Sequence, residues 1–351
     1  MFAGCNRRQS ITATAATNAA GRHSRERMEI RRNNFDVTNS IDTTDVASVS
    51  RAVAHIFEKR YPGNATDTLD RAFDDVARMY EGKYPGYRAC DTEYHNLQHT
   101  LDVTLAMARL MDGYELSGDG DEAIGPRLFE FGIVAALLHD IGYIRHNKDT
   151  RHQNGAEYTL THVSRGGKFI EDYMSLIGMD DLASIAGEIL HFTGYEKPID
   201  EIRIPASIFR LLGSLLGTAD IIAQMSDRCY LEKCRDRLFP EFVAGGLAKP
   251  GTRHTAGDNA ISSPEELVSN TPEFYRTAMS RLDDVLGGVY RYAEDHFGGQ
   301  NLYLEEMDKN VHYAGTVGAQ KALHRLRRQA PTPLPDSDRG EDVTNAETNQ
   351  D

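Results

Sequence analysis

From Phe129 to Leu138 the chain is apolar on every side of a helix except at Glu130, and this run ends on the pair His139-Asp140. A helix without a polar face has nowhere to lie but in a core. A carboxylate carried into that core costs several kcal/mol if it is left alone, so Asp140 demands a partner. The stretch Leu215-Leu216-Gly217-Thr218-Ala219-Asp220-Ile221-Ile222 repeats the problem, with one acid in an apolar helix. Imidazoles are the partners on offer. His95 and His99, in Tyr94-His95-Asn96-Leu97-Gln98-His99, stand four apart and share one face if the segment is helical. A divalent cation held between neutral imidazoles and the two carboxylates removes the burial cost and gives the residues a common use.

The order His99, His139-Asp140, Asp220 resembles that of the HD superfamily of metal-dependent phosphohydrolases. Tyr94-His95-Asn96-x-x-His99 and Leu138-His139-Asp140 are similar to the first two motifs of its cyclic-nucleotide phosphodiesterase branch. The likeness spans roughly residues 94–240. It implies an all-α, phosphodiesterase-like helical bundle with His99, His139, Asp140 and Asp220 on a first metal. Asp140 would bridge to a second metal, and His95 would give a proton to the leaving oxygen. His162, which opens a His-x-x-x-Gly segment, and His191, at the end of the next helix, are similar to ligands of the second metal in dinuclear HD proteins. In the phosphodiesterases the histidine comparable to His162 lies instead near the substrate phosphate.

Imidazole and carboxylate donors suit Zn, Mn, Mg or Fe, so two divalent ions are expected without a choice among them. Such a pair, with Asp140 between them, would activate a water against phosphorus. Asn96 is expected to position substrate by a hydrogen bond. Arg228, counted as two helical turns beyond Asp220, is expected to turn its guanidinium toward a phosphate. Departures from the phosphodiesterases narrow the substrate class. Gly142 and Tyr143 stand where those enzymes have Asp and His, and no Gln lies between Ala248 and Gly299 to read a purine. Cyclic-nucleotide specificity is therefore not implied. The expected activity is hydrolysis of a small nucleotide-like phosphoester, foremost a phosphodiester. The alternatives are a nucleotide phosphomonoesterase, a di-iron HD oxygenase, or a nucleotide-sensing HD module without catalysis.

A net charge of −14 argues against binding a nucleic-acid polymer or an anionic membrane surface, both of which are held by Lys and Arg. Cys5, Cys90, Cys229 and Cys234 form no Cys-x-x-Cys, so neither a disulfide framework nor a structural zinc is expected, and a cytoplasmic location is the default. No apolar run is expected to reach the roughly 18 to 20 residues that span a bilayer. The Arg-bearing, acid-free residues 1–25 read as a disordered tail rather than a targeting peptide.

Composition sets tails at 1–44 and 327–351 around one helical domain, 45–326. Periodicity predicts helices near 46–60, 67–82, 95–112, 126–140, 154–177, 180–192, 204–226, 227–239, 264–297 with a break at Gly287-Gly288, and 302–326. Ser263 before Pro264 and two acids is a helix start. The Gly/Ala/Thr-rich residues 243–262 read as an inserted connection, and the charged run Asp227 to Arg237 as a solvated face.

Overall fold

The computed structural model describes residues 30–332, apart from 121, 195 and 252–260. Residues 252–260 of the connection 243–262 and the outer parts of both expected tails thus lie outside the described residues. The described residues from Arg31 on belong to one unit, and it is all-α. In chain order its helices are α1 Val46–Arg60, α2 Asp67–Tyr80, α3 Leu97–Ser117, α4 Gly125–Leu138, α5 His162–Leu176, α6 Ala183–Leu190 and α7 Ser207–Ser226. There follow α8 Tyr230–Lys233, α9 Phe239–Ala244, α10 Pro264–Ser269, α11 Thr271–Ser280, α12 Tyr292–Phe297 and α13 Leu302–Ala319. Among the described residues strand pairing is limited to isolated bridges, such as Tyr87 with His146.

Three helices make the centre. α3 is buried on every side from Gln98 to Tyr114 and packs against α1, α4, α7 and α12. α4 is buried from Phe131 to Leu138 without a gap, as its unbroken apolar run requires. α7 is long and apolar enough, by length and composition, to cross a membrane, against the expectation that no run reaches that length. Most of it is buried inside this fold, where it carries Asp220 between α3 and α6.

Several boundaries differ from the periodicity for local reasons. Helix α3 starts at Leu97 because Asn96 is its cap, with extended backbone and a side chain that accepts from the His99 N–H. His95 therefore lies before the helix and not on it. The expected helix 227–239 is three pieces, because Asp227 is extended and a π turn, Cys234–Leu238, joins α8 to α9. The expected helix 264–297 is broken where Gly287 and Gly288 take φ of +74° and +68°.

The folded unit also begins earlier than composition suggests. Residues 31–44, read as tail, are anchored by Asp36, whose carboxylate accepts from Ser40 N and Ile41 N and pairs with Arg109 of α3. Both members of that pair are 3 % exposed. Burial raises the Asp36 pKa, but Arg109 more than offsets this and holds it below the usual range. The Tyr303 hydroxyl takes a second bond from Arg109 at 3.0 Å, so the guanidinium ties the amino-terminal segment to α13. A long-range ion pair of this kind leaves no local trace in composition. Residues 327–332 are likewise held, Arg328 by the Arg228 carbonyl and Glu232.

Asp36→Ala should destabilise the protein by about 3–5 kcal/mol, since it strands a buried guanidinium. A urea midpoint unchanged from wild type would show that the segment contributes nothing to the fold.

Candidate metal centre

Four elements converge on one point. The first turn of α3 brings His99, the end of α4 brings His139 and Asp140, the middle of α7 brings Asp220, and the start of α5 brings His162. After Asp140 the chain makes a short turn, Ile141–Tyr143, against which α5 packs. Gly142 makes that approach feasible: a Cβ there would stand 1.8 Å from the His162 carbonyl oxygen. Arg165, one turn into α5, donates to the Gly142 carbonyl and closes the junction.

His99, His139 and Asp220 offer donor atoms that all lie within 4.8 Å of one another. His139 Nδ1 is 2.8 Å from the Ala136 carbonyl oxygen, which only accepts, so the neutral ring carries its proton on Nδ1 and turns a bare Nε2 inward. That Nε2 lies 3.4 Å from His99 Nε2 and 3.2 Å from Asp140 Oδ2. His99 Nε2 is 3.3 Å from both Asp140 Oδ2 and Asp220 Oδ1. These contacts attract, but Asp140 Oδ2 is buried and aligned with none of them as a hydrogen bond. Its other oxygen faces a different imidazole, His162 Nε2, at 3.5 Å. His162 repeats the His139 device: its Nδ1 sits 2.7 Å from the Thr159 carbonyl, three residues back, which leaves Nε2 bare.

The arrangement fits cations. An orphaned carboxylate oxygen in a dry site, faced by imidazole nitrogens whose outer nitrogens are tied to carbonyls, is the donor chemistry of a histidine–carboxylate metal site. The electrostatics agree. Burial lowers the His99 pKa, yet Asp140 and Asp220 outweigh it and raise the pKa to about 10. Burial likewise opposes a charge on His139, and Asp140 again prevails and raises its pKa. Asp140 itself is pushed up by burial and more strongly down by His139 and His99, to well below the usual carboxylate range. At His162 burial wins over Asp140, and the pKa is lowered. The site therefore demands positive charge at its His99 end, which a proton or a metal satisfies, while His162 is held neutral.

His95 sits beside this cluster, its ring 5.8 Å from that of His99. Its Nδ1 is 2.5 Å from Glu241 Oε2, and Glu241 Oε1 accepts from the Tyr94 N–H at 2.6 Å. Sequence reasoning missed Glu241. It is an acid in the first turn of α9, a place where acids are usual, and it lies 146 residues from His95. Tyr143 stacks between His95 and His162, at 4.4 Å and 4.3 Å between ring centroids. Burial, and then the charge of Asp140, keep its phenol protonated.

Other expected site residues lie elsewhere. Asn96 spends its oxygen on His99 N at 3.1 Å and its amide on the Glu93 carbonyl at 2.6 Å. It is buried, and both of its polar groups serve the turn that carries His99. Arg228 does not reach the centre: α7 ends at Ser226, the count of helical turns fails there, and the guanidinium donates to Asn33 Oδ1 at 3.2 Å. His191 follows α6 as its cap, buried, with Nδ1 lacking a hydrogen-bond partner. The charges around it are those of Lys197, Glu196 and Glu188, and it is not among the three donors grouped around His99. His146 and His152 lie in the loop after the Ile141–Tyr143 turn, where His146 Nδ1 accepts from Lys148 N and His152 faces Glu157.

Residues 54–294 match the Npun_R2479-like family, about two thirds of the chain. The chain belongs to the Npun_R2479-like family. No curated protein and no solved structure matches it. The segment shared with the Npun_R2479-like family holds the whole cluster, from His95 to Glu241.

The His99 shift sets a pH dependence. Its folded pKa, about 10, lies above the ordinary 6.5, so protonated His99 contributes stability that is complete below pH 6.5 and is lost as pH rises through 10. Chelator-treated protein should therefore lose melting temperature steadily between pH 7 and pH 10. Protein loaded with Zn or Mn should lose much less, because a cation takes the place of the proton. Parallel curves for the two forms would show that His99 does not meet the metal.

Proposed function

We propose that this chain is a metal-dependent phosphohydrolase of the HD type, acting on a small nucleotide-like phosphoester, foremost a phosphodiester. One observation carries the reading: the Asp140 carboxylate is shared, Oδ2 toward His99 and His139 and Oδ1 toward His162. A carboxylate divided in this way suits two cations better than one. His99, His139, Asp140 and Asp220 would hold the first, and Asp140 with His162 would serve the second. His191, absent from the group that includes His99, is not used in this scheme. Bound divalent ions would supply charge for the phosphoryl oxygens and acidify a water.

The protein's own groups do the rest. Glu241 fixes the His95 ring through Nδ1 and compensates the charge of an imidazolium, which leaves Nε2 to hold the proton that a departing oxygen needs. Tyr143 stacks on both the His95 and the His162 ring, so one side chain supports the proton donor and the second-metal side together. The net charge of −14 favours a small substrate over a polymer, which would meet general repulsion.

A second reading has an observation behind it. His162 faces Asp140 as a ligand would, as in HD proteins that hold two irons and oxidise organic substrates, and not as the comparable phosphodiesterase histidine does. Anaerobic purification, iron analysis and a test for oxygen consumption separate the two.

A panel of phosphodiesters and monoesters with Mn, Mg, Zn and Fe should give hydrolysis that Asp140→Ala abolishes. His95→Asn should retain the metals and slow an alkyl ester by about a hundredfold, the scale of losing a positioned acid. Glu241→Gln should slow it in the same sense but less. Both losses should shrink with a nitrophenyl leaving group, which departs without a proton. Equal losses on both substrates would leave His95 and Glu241 as structural supports.

A further inference from the structure

The charged run ending at Arg237, expected as a solvated face, lines a cavity of about 750 Å³. Its other wall is the chain from Leu326 to Thr332, with Glu93 at the side. Four guanidinium groups, Arg235, Arg237, Arg327 and Arg328, share the lining with three carboxylates, Glu93, Glu232 and Asp236. Two of the carboxylates are already engaged. Asp236 takes both donors of Arg235, at 2.5 and 2.6 Å, and Glu232 Oε1 accepts from the Arg328 N–H at 3.2 Å. Arg237 Nη2 donates to the Ala330 and Pro331 carbonyls, and Arg327 Nε to the His324 carbonyl. Carbonyls satisfy hydrogen bonds but bring no countercharge, so the cavity keeps an excess of positive charge in a protein that is otherwise acidic.

Two of its groups are left open. Arg237 Nη1 and Glu232 Oε2 are buried without a hydrogen-bond partner. An open donor on a permanent cation calls for an anionic oxygen, and an open carboxylate oxygen calls for a proton donor. Phosphate offers both near neutral pH, since it carries bare oxygens and a P–OH group together. Sulfate offers only the first. The volume lies in the range of small-molecule sites.

We propose that this cavity, which shares no residue with the metal centre, binds a small phosphorylated molecule through its phosphate. Arg237 and Arg327 supply the charge, and Glu232 accepts the phosphate proton. The probe is inorganic phosphate, titrated calorimetrically into the chelator-treated full chain and into its Asp140→Ala variant, with sulfate as control. Saturable binding is expected in both proteins, with sulfate at least about tenfold weaker. Arg237→Gln and Arg327→Gln should each weaken phosphate by about tenfold. Arg327 is exposed and bonded only locally among the described residues, so its variant still decides the matter if loss of Arg237 loosens the segment it holds. Phosphate binding that needs Asp140, that survives both arginine substitutions, or that sulfate equals would overturn the proposal, as would no saturation at all.

Discussion

The structure is organised around one costly act, the burial of the Asp140 carboxylate at the end of an apolar helix. A lone ion there would destabilise the protein by several kcal/mol, so the surroundings are committed to compensating it. His139 and His99 face one oxygen and His162 the other. Each of these imidazoles arrives on a different helix, and α3, α4, α5 and α7 must meet at one depth for the charge to be balanced. The same requirement explains the backbone around it. Gly142 removes the side chain that would keep α5 away, and Asn96 starts α3 so that His99 falls in its first turn.

Compensation by imidazole alone is incomplete, and that incompleteness is what makes the site fit a cation. Asp140 Oδ2 lacks an aligned donor, and the His99 pKa is lifted to about 10 by the carboxylates that crowd it. A site that binds a proton so tightly without a metal is one that gains by exchanging it for a cation. His95 is kept out of that exchange because Glu241 claims its Nδ1. In the proposed function this division would separate metal ligands, which need bare nitrogens, from a proton donor, which needs a held proton.

How much of this was legible depends on the range of each interaction. Helix periodicity and apolar runs are local, so the all-α fold, the burial of α4 and the break at Gly287-Gly288 could be read directly. Asp140, beside His139, and Asp220 stood out because a charged group in an apolar helix is locally anomalous, and His99 stood out through its spacing from His95. Glu241 and Asp36 did not stand out. Each is an ordinary surface-type residue whose partner lies far along the chain, His95 in one case and Arg109 in the other. Arg228 was misplaced by extending a helix through Asp227, where the backbone turns extended, and His95 by starting one before its cap. The charged run 227–237 read as solvated because sequence does not show that residues 326–332 return to cover it.

Metal stoichiometry tests the shared role of Asp140 most directly. Elemental analysis of the purified chain, after loading with Mn or Zn and removal of free ions, should give two metals per wild-type chain, one for His162→Ala and none for Asp140→Ala. A full complement retained by Asp140→Ala, with the variant folded, would contradict the bridging carboxylate and with it the dinuclear centre.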